Sequence, residues 1–214
     1  LGGCNLICGG MGTQFDGELH NDAEWRCDSI EVWMKAQSKE IKDILPSDCV
    51  KAIENGAHII LTGGEPMIQQ KGLEALINFI KENHNKEAYF EVETNGTIMP
   101  NEFLLENIDL WNCSPKLRNS GMDNTMTFKS EVITKLNTKN TIFKFVVNKE
   151  KEWKEIQETY LPIVDKKKIY LMPAGENQEL LEKNMIRVVE LAKDNYLNFT
   201  TRLHINIWNK KTGV

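Results

Sequence analysis

The chain has 214 residues, 41% of them hydrophobic and 27% charged, which is the balance of a globular protein with a sizeable core. Its formal net charge of −5 argues against the basic surface that most nucleic-acid-binding proteins need, so we expect no nucleic-acid partner. No apolar run approaches the ~20 residues that span a bilayer, and no signal-peptide pattern opens the chain, so we expect a cytoplasmic protein without membrane contact.

The chain opens on Leu1 rather than Met, and its first residues read as the end of a strand already in progress. We therefore expect a further N-terminal segment in the natural protein. We also expect a single domain over residues 1–214, because no repeat, low-complexity tract or flexible linker divides the sequence.

Three cysteines near the start, Cys4, Cys8 and Cys27, are the first candidates for chemistry. The chain has five cysteines, an odd number, and clustered cysteines in a reducing compartment are more often metal ligands or catalytic groups than disulfide partners. Three thiolates could hold three irons of a four-iron cluster and leave the fourth iron open. With His20 they could equally form a tetrahedral zinc site, and the cysteines alone do not decide between the two.

The two other cysteines stand apart from this group. Cys49 falls in a helical pattern after Pro46, and Cys113 lies at the end of an apolar run. We predict that both are packed, inert thiols.

Short apolar runs alternate with helical patterns along the rest of the chain. The predicted strands are Ala57–Leu61, Ala88–Glu93, Leu110–Cys113, Thr141–Val147, Lys168–Met172 and Phe199–Ile207. The predicted helices are Gly72–Lys81, Asn101–Asn107, Glu150–Tyr160 and Asn184–Lys193. Such alternation predicts right-handed βα units and a parallel sheet, with too few units for the ~250 residues of a complete eight-stranded barrel. We therefore predict an α/β fold, a partial, open β/α barrel.

Polar clusters follow three consecutive predicted strands, at Thr62–Glu65, Glu93–Gly96 and Ser114–Lys116. Because the carboxyl ends of parallel strands gather at one edge of a sheet, these clusters predict an active site there. Gly63 and Gly64 would let the backbone approach a ligand closely, although they also suit a plain strand-to-helix turn.

Polar residues of two further predicted strands are candidates for the site. Lys144 lies between two phenylalanines, so strand alternation directs it to the face opposite theirs, which we predict to be the cleft. Arg202 and His204 would share one face of the predicted strand Phe199–Ile207. That face could be plain solvent-exposed surface or could contact the substrate.

Six motifs carry a family resemblance, and they come in order along the chain: Cys4–Cys8, Cys27–Ser29, Leu61–Pro66, Glu93–Thr97, Ser114–Lys116 and Phe143–Val147. The first three together resemble the radical S-adenosylmethionine (SAM) superfamily. The last three narrow the resemblance to the 7-carboxy-7-deazaguanine synthases. Each motif is weak alone, but the ordered set is specific and covers essentially the whole chain.

The resemblance implies a 4Fe–4S cluster held by Cys4, Cys8 and Cys27, with SAM chelating the fourth iron. It implies that eight residues contact SAM or line the cleft that SAM shares with the substrate: Gly63, Gly64, Glu65, Glu93, Asn95, Ser114, Lys116 and Pro173. Glu65 and the two glycines would bind the amino group of SAM, and Pro173 would open the loop that holds its adenine.

The resemblance also implies Mg²⁺, with the hydroxyl of Ser29 as a ligand, since magnesium prefers hard oxygen donors. The substrate would be 6-carboxy-5,6,7,8-tetrahydropterin, contacted by Asp28, Thr62, Lys144 and His204. A 5′-deoxyadenosyl radical would convert it to 7-carboxy-7-deazaguanine with loss of ammonia, in a lyase of queuosine biosynthesis. The resemblance further implies a reductant such as flavodoxin or ferredoxin, and a homodimer.

The chain departs from the usual Cys-x₃-Cys-x₂-Cys spacing of the superfamily. Residues 9–26 separate Cys8 from Cys27, and Met11 stands where the third cysteine is expected. We interpret residues 9–26 as a looped-out excursion that returns Cys27 to the other two cysteines. Two alternatives remain: another radical SAM enzyme, such as a glycyl-radical activase, or a non-enzymatic module stabilised by zinc on the cysteines and His20.

Overall fold

The computed structural model describes residues 1–10, 18–27, 29 and 37–211. The strands in this part of the chain are β1 (Ile59–Leu61), β2 (Phe90–Thr94), β3 (Leu110–Cys113), β4 (Thr141–Val147), β5 (Ile169–Pro173) and β6 (Asn198–Phe199). They form one six-stranded sheet in which each strand pairs in parallel with the next along the chain. A parallel sheet wound in sequence order is the core of an open β/α barrel, so the predicted fold class is confirmed.

Helices connect the strands and pack against the sheet. They are α1 (Ser47–Glu54), α2 (Gln70–Asn83), α3 (Glu102–Asn107), α4 (Asn124–Thr127), α5 (Ser130–Asn137), α6 (Glu150–Thr159), α7 (Gln178–Asp194) and α8 (Leu203–Trp208). Short 3₁₀ helices span Ile41–Asp43, Pro66–Gln69, Arg118–Ser120 and Lys166–Lys168. None of the helices in the described ranges is long and apolar enough to cross a membrane.

Side-chain alternation in β4 shows how the sheet divides its two faces. Phe143, Phe145 and Val147 are fully buried in the hydrophobic core, whereas Lys144 and Val146 are half-buried on the other face. Successive side chains of a strand point to opposite faces, so Lys144 and Val146 turn inward, toward the hollow of the open barrel. The polar residues of the strands are therefore presented to that hollow, while the apolar ones fix the strands in place.

The C-terminal segment corrects one prediction. The sequence predicts a strand over Phe199–Ile207, but β6 ends at Phe199 and Leu203–Trp208 is helical, with Ile205 as its buried residue. The branched and aromatic side chains there resemble a strand, and a six-residue helix is too short to show a helical period. Arg202 and His204 are consequently not held on one strand face; Arg202 precedes the first turn of α8 and His204 is exposed on it.

The two isolated cysteines differ from each other. Cys113 is fully buried at the end of β3, as predicted. Cys49 is exposed on α1, so the prediction of a packed thiol is wrong for it. Ile53 is the one buried residue of α1 and belongs to the hydrophobic core, whereas Cys49 lies on the exposed side of the helix.

Candidate active site

A cavity of about 350 Å³ opens at the carboxyl ends of the strands. It is lined by thirteen of the predicted site residues: Cys4, Cys8, Cys27, Ser29, Thr62, Gly63, Gly64, Glu93, Asn95, Ser114, Lys116, Lys144 and His204. These residues come from the start of the chain, the loops after β1 to β3, the strand β4 and the helix α8. The motifs that are scattered along the sequence thus meet at one edge of the sheet.

Backbone hydrogen bonds return Cys27 to the side of Cys8. The amide of Cys27 donates to the carbonyl of Cys8 over 3.1 Å, and the amide of His20 donates to the carbonyl of Gly9 over 3.3 Å. The excursion therefore closes on itself, and three thiols share one wall of the cavity. Met11 and the rest of residues 11–17 lie outside the described residues.

Burial sets the protonation of the thiols. It raises the pKa of Cys8 to about 12, against the opposing effect of the Lys116 cation, and it also raises the pKa of Cys4. A charge on Cys27 raises the pKa of both thiols further, and a charge on Cys4 raises the pKa of Cys8. In the free protein these two thiols hold their protons at neutral pH, so metal binding must release protons and supply positive charge to the site.

The donor set fits an iron–sulfur cluster. Cys4, Cys8 and Cys27 offer three soft sulfur ligands on one wall, and the cavity beyond them has room for a ligand on an open metal position. Within the described ranges, no three His, Cys, Asp or Glu side chains stand close enough together to share a single metal ion. His20, the fourth ligand of the zinc alternative, is not among the described residues that line the cavity.

The glycine at the start of the excursion is required by its surroundings. Gly9 has a φ of +74°, and a Cβ built on it would lie 2.6 Å from the carbonyl oxygen of Trp25. Residues 24–26, which lead from the excursion back to Cys27, are called the return stem here. The return stem therefore packs directly against the backbone of Gly9.

We expect Gly9→Ala to lower the free energy of unfolding by about 1–3 kcal/mol, because an L side chain is strained at this φ and collides with the return stem. Thermal and urea unfolding of the metal-free protein measure it. Gly72→Ala is the matched control: a Cβ there meets nothing within 4 Å, so it should stabilise α2 by about 0.5–1 kcal/mol. Equal stability of the Gly9→Ala variant and the parent would contradict this packing.

The glycine loop after β1 is held against the residues that precede Cys4. The amide of Gly64 donates to the carbonyl of Leu1 over 2.9 Å, and the amide of Glu65 donates to the carbonyl of Gly3 over 2.8 Å. Gly63 has a φ of +134°, and a Cβ on it would lie 2.1 Å from the carbonyl oxygen of Leu1. Backbone hydrogen bonds therefore join the loop directly to the segment that precedes Cys4.

Glu65, which the resemblance implies as a contact of SAM, lies in a buried hydrogen-bond network. Its carboxylate is fully buried and is absent from the described cavity lining. It accepts hydrogen bonds from the amide of Met67 (3.0 Å), the hydroxyl of Thr94 (2.7 Å) and the amide of Asn95 (2.7 Å). Burial raises the pKa of Glu65, although these hydrogen bonds oppose the shift. Its side chain joins the loop after β1 to the loop after β2.

The cavity lining contains an ion pair between Glu93 and Lys144. Glu93 accepts a hydrogen bond from the hydroxyl of Thr62 (2.8 Å) at one carboxylate oxygen and pairs with the ammonium of Lys144 (3.2 Å) at the other. Both carboxylate oxygens are thus oriented before any ligand arrives. A ligand that contacts Glu93 or Lys144 meets groups that are already positioned.

Lys116 forms a second fixed cation. Its ammonium donates to the carbonyl (2.9 Å) and the hydroxyl (3.1 Å) of Ser114, and it lies 5.9 Å from the centroid of the Trp25 ring. The charged side chains among the described lining residues include four cations and one carboxylate: Arg26, Lys116, Lys144, Arg202 and Glu93. This excess of positive charge favours ligands that carry carboxylates.

Side-chain amides fix the segment between Cys4 and Cys8. Asn95 donates to the side-chain oxygen of Asn5 over 2.9 Å, and Asn5 donates to the hydroxyl of Thr97 over 2.8 Å. Asn95 thus lines the cavity and also ties the cysteine segment to the end of β2.

Two predicted site residues, Glu65 and Pro173, are absent from the described cavity lining, and several lining residues are missed by the sequence analysis. Pro173 is buried at the end of β5, where Met172 lines the cavity instead. Asp28 lies outside the described residues. The unpredicted lining residues include Trp25, Arg26, Asn112 and Met172. Register offers a signal for one of them, since Asn112 of β3 pairs directly with Glu93.

Comparison with known proteins identifies the family. No protein-family model matches the chain. It is 30% identical to 7-carboxy-7-deazaguanine synthase of Pyrobaculum aerophilum over 159 residues, covering 73% of this chain and 67% of that protein. It is 27% identical to the enzymes of that name from Halobacterium salinarum, over 97% of this chain and 80% of the relative, and Rhodopirellula baltica, over 99% and 78%.

A solved structure shares the fold. The crystal structure of QueE from Escherichia coli superimposes with a TM-score of 0.57 at 18% sequence identity, covering 94% of this chain and 82% of that one. Its likeness supports the open parallel sheet described above. The sequence relatives lead to one conclusion: the chain is an enzyme that belongs to the 7-carboxy-7-deazaguanine synthase family.

Proposed function

We propose that this enzyme is a radical SAM lyase that converts 6-carboxy-5,6,7,8-tetrahydropterin to 7-carboxy-7-deazaguanine with loss of ammonia. The observation that carries the proposal is the shared wall of Cys4, Cys8 and Cys27, which faces the same cavity as Gly63 and Gly64. Family membership supports the reaction, since the named relatives are 7-carboxy-7-deazaguanine synthases.

The cofactor residues follow from the donor types. Cys4, Cys8 and Cys27 would hold a 4Fe–4S cluster, and Gly63 and Gly64, which line the same cavity, would meet the amino acid part of SAM. When bound, the reduced cluster and SAM supply the 5′-deoxyadenosyl radical that removes a hydrogen atom from the substrate. The protein's own task is to hold the substrate in reach and to keep water away.

Charged side chains provide that hold. The substrate carries one carboxylate and SAM carries another, and the cations that line the cavity offer charge-assisted hydrogen bonds to both. Glu93 presents acceptor oxygens for the N–H groups of a pterin ring, and its bonds to Thr62 and Lys144 fix their direction. We assign substrate contacts to Thr62, Lys144 and His204, and SAM contacts to Ser114 and Lys116.

Magnesium has one described candidate ligand. Ser29 lines the cavity, and its hydroxyl is a hard oxygen donor of the kind that Mg²⁺ binds together with waters or a substrate carboxylate. Asp28, its neighbour in sequence, lies outside the described residues. In this proposal the enzyme works in the cytoplasm as a homodimer, serves queuosine biosynthesis and takes electrons from flavodoxin or ferredoxin.

Anaerobic turnover with mass detection tests the proposal. Reconstituted protein, with its iron and sulfide counted, is mixed with SAM, dithionite, Mg²⁺ and 6-carboxytetrahydropterin, and we expect 7-carboxy-7-deazaguanine and 5′-deoxyadenosine. Tetrahydropterin without the 6-carboxylate is the matched control, and we expect it to give none of the deazaguanine product. Formation of 5′-deoxyadenosine alone would overturn the substrate assignment, as expected of an activase. Absence of both products at full cluster load would overturn the radical SAM assignment.

A further inference from the structure

A pair of salt bridges holds the return stem of the excursion. Glu24 lies three residues before Cys27, and one oxygen of its carboxylate contacts the ammonium groups of Lys149 (2.8 Å) and Lys151 (2.5 Å). These contacts join residues more than a hundred positions apart in the chain, so they fix the stem to another part of the fold. We call the three side chains of Glu24, Lys149 and Lys151 the latch.

The latch is protected from solvent on its acidic side. The side chain of Glu24 is only 17% exposed, and its second carboxylate oxygen is buried without a hydrogen-bond partner among the described residues. Burial alone would raise the pKa of Glu24, but the two lysines outweigh it and hold that pKa below its ordinary value. The carboxylate is therefore kept charged by the lysines, and it would be a buried unpaired charge without them.

Hydrogen bonds to a buried carboxylate hold the backbone that carries the two lysines. They lie at the beginning of α6, where the carboxylate of Glu152 accepts hydrogen bonds from the amides of Asn148 (3.2 Å) and Lys149 (2.5 Å). Glu152 is 1% exposed, and this turn directly follows β4, whose Lys144 and Val146 line the cavity. The latch thus connects the excursion to the end of β4, the strand that contributes Lys144 and Val146 to the cavity lining.

Two further hydrogen bonds of the stem converge on one residue. The amide of Glu24 donates to the carbonyl of Asn119 (2.8 Å), and the indole of Trp25 donates to the side-chain oxygen of Asn119 (3.1 Å). Asn119 in turn donates to the carbonyl of Val146 over 3.1 Å. Without the latch, the stem would keep these neutral hydrogen bonds, its packing against Gly9 and the contact of Trp25 with Lys116.

We propose that Glu24 is a positioning residue for Cys27: its salt bridges to Lys149 and Lys151 keep the return stem, and with it the Cys27 thiol, on the cavity wall. The latch is a property of the metal-free chain. Its consequence, slower loss of the cluster, rests on the function proposed above. The charge pair acts on the position of Cys27 and takes no part in the chemistry.

Alkylation of the metal-free protein with iodoacetamide, mapped by mass spectrometry, measures the position of each cysteine. In Glu24→Gln we expect Cys27 to react about fivefold faster than in the parent, as loss of a partly buried ion pair allows. Two cysteines serve as internal references in the same sample. The exposed Cys49 should keep its rate, and the fully buried Cys113 should stay unreactive unless the variant unfolds.

Two further comparisons separate the latch from a local charge effect. Glu190→Gln removes an exposed salt bridge of 2.5 Å to Lys193 and should leave the Cys27 rate unchanged. Lys149→Met/Lys151→Met should raise the rate more than Glu24→Gln does, because it strands a buried carboxylate. Adding Glu24→Gln to that double variant should lower the rate again. A further increase, or no change of Cys27 in any variant, would overturn the latch.

Iron release completes the test. In the reconstituted protein without SAM, iron transfer to a chelator should be about fivefold faster in Glu24→Gln. Faster alkylation with unchanged iron release would leave the latch standing and would overturn Cys27 as a cluster ligand. An unchanged alkylation rate would overturn the latch itself.

Discussion

Cys27→Ala should lose its iron. We expect the reconstituted variant to bind at least about tenfold less iron and sulfide than the parent and to lose the brown colour that bleaches with dithionite, since even outer-sphere changes cost metal sites that much. The reason is that the backbone bond between Cys27 and Cys8 makes Cys27 the third thiol of the cavity wall. Iron and sulfide analysis with visible spectroscopy measures the loss.

Cys49→Ala is the matched control for this experiment. Cys49 is an exposed thiol on α1, away from the cavity lining, so its removal should leave iron content and colour unchanged. Unchanged iron in Cys27→Ala would show that the excursion does not supply a ligand, and the cluster site would have to be sought elsewhere in the chain.

Glu65→Ala should be among the most destabilising single changes. The substitution leaves three buried hydrogen-bond donors, from Met67, Thr94 and Asn95, without their acceptor. We expect the free energy of unfolding to fall by about 3–5 kcal/mol, the usual cost of removing one partner from a buried charged network. Urea unfolding of the metal-free protein measures it. Glu158→Ala, at an exposed position of α6, should stay within about 0.5 kcal/mol of the parent.

Glu65 should also shape the pH dependence of stability. Burial raises its pKa above the ordinary value of 4.5, so between that pH and the higher native pKa the folded state binds more protons than the unfolded state. Its contribution to the free energy of unfolding therefore falls as pH rises through this interval. In Glu65→Gln that part of the slope should vanish. A slope identical to that of the parent would show that Glu65 does not titrate differently in the folded state.

The sheet could be predicted because its strands carry strong local signals. The bounds of β3 and β4 match the predicted Leu110–Cys113 and Thr141–Val147, since both are apolar runs with clear polar borders. β1 is shorter than the predicted Ala57–Leu61, because pairing with β2 begins only at Ile59. The sequence does not predict the C-terminal helix α8, because its branched and aromatic side chains favour a strand and six residues are too few to show a helical period.

The site residues also divide into those that the sequence could predict and those that it could not. Residues at strand ends, such as Glu93 and Lys116, could be found because parallel topology gathers them at one edge. The contacts of Asn5 and Glu24 could not, because each joins segments about ninety or more positions apart and leaves no periodic trace. A motif also does not show whether a side chain is exposed or buried. Glu65 belongs to the glycine motif, yet its carboxylate is buried.

The docking of the excursion on Asn119 has a consequence for how the protein is made. Cys27 leaves the ribosome about 90 residues before Asn119, which at ~5–20 residues per second is roughly 5–20 s of synthesis. Throughout that interval the nascent chain carries three thiols whose supporting loop does not yet exist. The latch lysines arrive later still, and α8, which borders the cavity, comes last. Stable assembly of the proposed cluster would therefore follow synthesis of these supporting segments, and until then the three thiols would have to stay reduced and away from competing metals.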